Sequence, residues 1–195
     1  MFVLLMIGYQ NEYFSASGKF HELLKGTEDI SALLHRSLKL VDSVHSRGLV
    51  VTAPIGFDSE YSDIESPYGI LKDIKDNKAF IEGSFGYETI IELQKRKSNI
   101  VHLKTRRTLN AFQDTDFQII LNEHEIKDIY IAGVFTSLCV DSSARTAYEL
   151  GYNVTILTDL IAGRTILENE FYVENVFPAY CHMKTSDQII EKDIT

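Results

Sequence analysis

The chain has only two cysteines, Cys139 and Cys181, in 195 residues. Two isolated thiols make neither a disulfide framework nor a metal-ligand spacing. Reduced thiols of an intracellular protein fit that usage. Long apolar runs are also missing, and none reaches the ~18 residues needed to span a bilayer. The apolar start, Met1 to Ile7, is short and has no basic stretch before it. It runs into Gln10, Asn11 and Glu12, so it does not read as a signal peptide. Basic residues are few: 19 Lys and Arg against 28 Asp and Glu leave a net charge of −9. The acidic residues are scattered, which disfavours nucleic acid or an anionic membrane surface as partner. There is no repeat, low-complexity tract or linker. A single domain over residues 1–195 is expected, cytoplasmic, with a small molecule as its ligand.

Hydrophobic residues make up 45% of the chain, enough for a sizeable core. Short β-branched runs alternate with helical patterns, which argues for βαβ units and a parallel sheet. Strands are predicted at Phe2–Ile7, Leu49–Ala53, Ile100–Leu103, Asp128–Ala132 and Asn153–Leu157, with an edge strand at Tyr180–Met183. Helices are predicted from Asp29 to Ser46, at Tyr87–Gln94, at Asp116–His124 with Thr115 as N-cap, after the Gly133–Leu138 turn to about Leu150, and at Glu168–Val176. Pro54 to Gly86 reads as a long connection with little periodicity, of a kind that is usually functional or well packed on itself. The fold class is α/β, a three-layer Rossmann-like parallel sheet of about six strands flanked by helices. Such sheets bind ligands beyond the carboxyl ends of their strands.

One of those ends carries a chemical signal. Ile129–Ala132 leads into Gly133-Val134-Phe135-Thr136-Ser137-Leu138-Cys139-Val140, which places Cys139 in the first turn of the next helix. Main-chain N–H groups and the helix dipole favour a thiolate there. The same N–H groups suit an oxyanion formed during attack on a carbonyl. A lone cysteine is more commonly a small buried apolar residue, and Cys181 is read as one.

The segment from Ala132 to Asp159 resembles the isochorismatase-like cysteine hydrolase family: Gly-Val-x-Thr-x-x-Cys-Val, then Ala-Arg-Thr-Ala, Glu-Leu-Gly-Tyr-x-Val and Thr-Asp. Leu5 to Phe14 is similar to the family's first strand and its Asp-x-Gln-Asn-Asp/Glu-Phe motif. Ala53-Pro54-Ile55-x-Phe57, Tyr68–Leu71, Ala79-Phe80 and Gly83–Gly86 extend the resemblance over nearly the whole chain. It implies a six-stranded parallel sheet and an Asp, Lys and Cys converging after the first, third and fourth strands. In that scheme the aspartate takes the thiol proton, the lysine stabilises charge and the cysteine attacks an amide-like carbon. It also implies an oxyanion hole in the Thr136–Cys139 turn, a cis peptide at Val134–Phe135 and a homo-oligomer. The substrate-binding residues expected from it are Phe135, Thr136, Leu138, Gln10 and Phe57. Phe14, Phe85 and Phe112 are further apolar-wall candidates.

Two positions depart from the pattern. The family's aspartate aligns with Gly8, which has no side chain to accept a proton. The family's lysine aligns with Arg106, counted back from Ala111-Phe112. Arginine keeps the charge, does not readily give up a proton, and suits a substrate carboxylate. Lys104, two residues earlier, is the alternative cation if a two-residue bulge brings it in. Glu12 is read as structural, and His102 as an ordinary strand histidine. The place of the nicotinamidase Asp-x-His group reads Thr52 to Asp58 without a histidine, so no metal or cofactor is expected. Gly83-x-x-Gly86 is no phosphate loop. The sequence therefore supports two functions. One is a hydrolase of a small amide- or ester-like substrate through Cys139, with Arg106 or Lys104. The other is a degenerate relative that binds a ligand, serves as an interaction module or senses redox state through Cys139.

Overall fold

The computed structural model describes residues 1–24, 29–44, 47–96 and 100–191. Six strands form one parallel sheet: β1 (Phe2–Ile7), β2 (Gly48–Ala53), β3 (Ile100–His102), β4 (Asp128–Val134), β5 (Asn153–Ala162) and β6 (His182–Lys184). Their order is β3-β2-β1-β4-β5-β6. The order reverses between β1 and β4, so the crevice at the carboxyl ends of those two strands is the expected ligand site.

The sheet is covered on both faces, as an all-parallel sheet must be. Alternate residues of β1 go to opposite layers. Leu4 and Met6 join Leu33, Leu40, Val41 and Val44 of α2 (Ile30–Val44). Val3, Leu5 and Ile7 join Phe117 and Leu121 of α5 (Phe117–Glu123) and Ala144 and Ala147 of α6 (Asp141–Glu149). Burial of one Leu- or Val-sized side chain stabilises by ~1.5–3 kcal/mol, so these two layers hold the fold together. The remaining helices are α1 (Asn11–Phe14), α3 (Gly69–Asp76), α4 (Ile91–Gln94), α7 (Ile166–Phe171) and α8 (Ser186–Ile190). Among the described residues no helix is long and apolar enough to cross a membrane.

Several elements differ from the sequence-based expectation. The Pro54–Gly86 connection holds α3, whose left-handed first residue, Gly69 (φ 57°), hid its start. Strand β5 runs on to Ala162 because three extra residues bulge between its pairings with Ile131 and Gly133 of β4. The second predicted helix is confined to Ile91–Gln94, because Ile90 N–H instead bonds Tyr9 O. Thr115 is not the N-cap of α5: Asp116 holds that place without a side-chain cap bond, and Thr115 Oγ1 accepts from Phe117 N at 3.2 Å from one residue further out. The predicted end of the first long helix at Ser46 lies outside the described residues.

Candidate active site

Two glycines bring the β1 and β4 ends together. Gly133 (φ 129°) pairs with Ile7, and a Cβ on it would lie 2.0 Å from Ile7 O. Only glycine allows that approach. Gly8 (φ 73°) follows β1, and a Cβ on it would meet Val134 O and Cγ2 at 3.0 Å and Tyr13 Cε2 at 3.2 Å. The space beside Gly8 is thus occupied by a tyrosine ring.

Beyond Gly133 the Val134–Phe135 peptide is cis, as the family resemblance implies. The chain then makes a wide turn over Thr136–Val140 that runs into α6. Phe135 O accepts from Leu138 N at 3.1 Å and from Val140 N at 3.2 Å. Two side-chain bonds hold the turn from α7: Thr136 Oγ1 donates to Asn169 Oδ1, and Ser137 Oγ donates to Glu168 Oε1, both at 2.6 Å. Cys139 in this turn is only 1% exposed.

The basic residue that reaches the sulfur is Arg106. Thr52 pairs with His102, whereas three residues on Ile55 pairs with Arg106, four residues on. The β3 side therefore carries one extra residue, a bulge of the kind that re-aims a side chain. Arg106 N donates to Pro54 O at 3.0 Å and Gly56 N donates to Arg106 O at 3.2 Å, which fixes its backbone. Its side chain is wholly buried. Nε donates to Ala53 O at 3.3 Å, and Nη1 donates to Thr108 O at 2.5 Å and to Cys139 Sγ at 3.5 Å. Nη2 is buried with no partner. Among the described residues no carboxylate pairs with this guanidinium. Lys104, by contrast, is exposed, and its main-chain N–H bonds Asp116 Oδ1.

Tyr13 was not singled out in the sequence. It is 2% exposed, and its ring meets Phe135 edge-on with centroids 5.2 Å apart. Burial pushes the Tyr13 hydroxyl far above the usual tyrosine range. Cys139 acts in the same direction and Arg106 against it. Among the described residues its hydroxyl has no hydrogen-bond partner, whereas buried Tyr9 bonds Ser37 and buried Tyr61 bonds Ala79 O. Its only sequence signal was its place five residues after Gly8, in a turn short enough to fold back on the strand end.

The other candidate residues make contacts with the surrounding loops and layers. Gln10 spends its amide on the main chain: Nε2 donates to Ile55 O and Tyr87 O, and Oε1 accepts from Ile55 N. Glu12 accepts from Lys19 N at 2.7 Å and Phe80 N at 3.3 Å, which joins two loops. Phe57 is fully buried and stacks obliquely on Tyr61. Leu138 is partly buried and packs against both apolar layers. His102 Nδ1 shares a hydrogen bond with Thr52 Oγ1. A cavity of about 630 Å³ is lined by Asn11, Phe14, Leu34, Phe85 and Ile91, and Cys139 is not among its lining residues. Of the α1 turn, Asn11 and Phe14 line the cavity while Tyr13 packs against Phe135. Among the described residues no three His, Cys, Asp or Glu side chains are grouped to hold a metal ion.

Comparison with known proteins agrees with this architecture. The family model "Isochorismatase domain" matches residues 2–188. An isochorismatase family protein of Bacillus subtilis, YwoC, is 31% identical over 88 residues, 45% of this chain and 47% of the relative, so that match spans about half the relative's length. The ureidoacrylate amidohydrolase RutB of Agrobacterium fabrum is 25% identical over 173 residues, 80% of this chain and 73% of the relative. The crystal structure of a cysteine hydrolase from Pseudomonas syringae pv. phaseolicola superposes with a TM-score of 0.84 at 16% identity, covering 97% of this chain and 91% of that one. The chain belongs to the isochorismatase family, which includes amide-hydrolysing enzymes.

Proposed function

We propose that this protein is a cysteine hydrolase of a small amide- or ester-like substrate, with Cys139 as nucleophile and Arg106 as its counter-charge. One observation carries the reading. A wholly buried guanidinium has no carboxylate partner, and it donates to the cysteine sulfur. An uncompensated buried charge costs several kcal/mol, so a protein that keeps one has a negative charge to place beside it. The sulfur in its thiolate form supplies that charge.

The chemistry closes as follows. Sulfur attacks the acyl carbon, a C–S bond forms, and the carbonyl π pair moves onto oxygen. The C–N bond then breaks, and the leaving nitrogen takes the proton that the thiol gave up. Water hydrolyses the thioester and returns the thiol. The amide-hydrolysing activity named for the Agrobacterium relative supports this substrate class. Arg106 cannot act as a base at neutral pH, and Gly8 has no side chain. Water must therefore relay the thiol proton.

The test is ammonia release from a panel of small primary amides and N-carbamoyl compounds, by the wild-type chain and Cys139→Ser. Turnover that vanishes in Cys139→Ser supports the proposal. Absence of both turnover and an acyl adduct on Cys139 in the intact mass contradicts it.

The second reading is a relative that has lost hydrolysis and acts in ligand binding, interaction or redox sensing. The closed space beside Gly8 and the 1% exposure of Cys139 favour it. In that case the mass of Cys139 changes with peroxide and never with an acyl donor.

A further inference from the structure

Ser143 of α6 is fully buried, and its hydroxyl is used twice. Oγ donates to Cys139 O at 2.7 Å and accepts from Ala111 N at 2.9 Å. The first bond is the ordinary way for a helical serine to reach the carbonyl four residues back. The second crosses 32 residues of sequence to the loop that carries Arg106. One oxygen therefore joins the loop that delivers the guanidinium to the residue that delivers the sulfur. Ala111 is itself fully buried, so its N–H needs that acceptor.

The arginine loop is fixed at both ends. At its start Arg106 N donates to Pro54 O and Gly56 N donates to Arg106 O. At its far end it rests on α6. Ala111 N meets Ser143, and Asn110 Nδ2 donates to Thr146 Oγ1 at 2.7 Å, one turn further along the helix. Within the loop Thr108 O accepts from Arg106 Nη1, the same nitrogen that donates to Cys139 Sγ at 3.5 Å. The seat of this loop on α6 consequently sets where Nη1 lies. Charge-assisted hydrogen bonds are strong, but they weaken steeply with poor geometry.

We infer, on the hydrolase reading above, that Ser143 is a positioning residue for the Arg106–Cys139 pair. Its hydroxyl ties the arginine loop to the nucleophile and keeps the guanidinium in register with the sulfur. Both of its bonds go to main-chain groups, so it acts through Arg106 and not on the sulfur itself.

The test is the rate at which iodoacetamide labels Cys139 at neutral pH in the full chain, with Cys181 as the internal reference. Ser143→Ala removes both bonds and places the best helix former in α6, so the variant folds. Ser37→Ala is the control. It removes a buried serine hydroxyl of the same kind, which donates to Leu33 O and shares a hydrogen bond with Tyr9, in the other layer. Groups linked in one network are coupled energetically, so Ser143→Ala should slow Cys139 labelling about three- to tenfold. Ser37→Ala should leave it within about twofold, as sites in separate networks act independently. In an Arg106→Met background, Ser143→Ala should change the rate by less than about twofold, because the residue it positions is gone. A purely structural serine would instead slow labelling equally in both backgrounds, and that result would overturn the inference. An unchanged or faster rate in Ser143→Ala, or an equal slowing in Ser37→Ala, would overturn it as well. If Arg106→Met alone leaves Cys139 labelling unchanged, the hydrolase reading fails and this inference fails with it. If Arg106→Met slows labelling and Ser143→Ala does not, only this inference fails.

Discussion

Arg106 Nη1 lies 3.5 Å from Cys139 Sγ, across 33 residues of sequence, and both side chains are sealed from solvent. An extra residue after β3 delivers the arginine, and a wide turn after β4 delivers the cysteine. The pair lies at the carboxyl ends of the strands, with Arg106 arriving from the β2–β3 side of the order reversal and Cys139 from β4.

The guanidinium carries the charge of this site. Arg106→Met keeps much of the side-chain volume and removes the charge and all five N–H donors. It should lower the rate of Cys139 acylation by at least about tenfold, the scale of one lost charge-assisted hydrogen bond. Mass-spectrometric mapping of acetyl-Cys139 against time measures it.

Gly8 is not a free position for a restored carboxylate. Its φ of 73° is left-handed, and a Cβ would press Val134 O at 3.0 Å and Tyr13 Cε2 at 3.2 Å. Gly8→Ala should destabilise by about 1–3 kcal/mol, the usual cost of a non-glycine residue held in a sparse backbone region. Gly8→Asp should cost a similar amount. Urea unfolding of both variants measures it.

The nucleophile turn is held from outside. Ser137 and Thr136 donate to Glu168 and Asn169 of α7. Glu168 also pairs with Arg164 at 3.0 Å. Glu168→Ala should cost about 1–3 kcal/mol for the stranded Ser137 hydroxyl and its lost charged acceptor. Hydrogen exchange should quicken at the Thr136–Val140 amides and stay unchanged in α2.

Alkaline pH should weaken the fold. Burial raises the Cys181 thiol to about 12 and the Tyr61 hydroxyl to about 12, and raises Tyr13 further. Unfolded cysteine and tyrosine titrate near about 8.5 and 10. Above those values the unfolded chain binds fewer protons than the native one, so stability is complete below about pH 8.5 and declines as pH rises towards 12. The slope is at most about 1.4 kcal/mol per pH unit for each such proton. Urea unfolding at pH 8, 9.5 and 11 measures it, and Cys181→Ser should shallow the decline.

The sheet was legible because its evidence is local. Phe2–Ile7 is read correctly from six apolar residues followed by glycine, and Asp128–Ala132 from its apolar run before Gly133, although the strand itself carries on through Gly133 to Val134. Cys139 was legible from its turn, and Arg106 from its spacing to Ala111-Phe112. What brought Arg106 rather than Lys104 to the sulfur was a single extra residue in a ladder, which periodicity does not record. Tyr13 was invisible for a similar reason. Its ring fills the space that Gly8 leaves, a relation between a missing side chain and a residue five places on. The bonds of the Gln10 amide reach Ile55 and Tyr87, far along the chain, so no local pattern records them.

The most direct test is the rate at which iodoacetamide alkylates Cys139 at neutral pH, in the wild type and in Arg106→Met, with both proteins shown to be folded. The hydrolase account predicts that the wild-type sulfur is labelled much faster than Cys181 and that Arg106→Met abolishes the difference. Equal labelling of Cys139 in the two proteins, or a Cys139 as slow as Cys181 in the wild type, would contradict it.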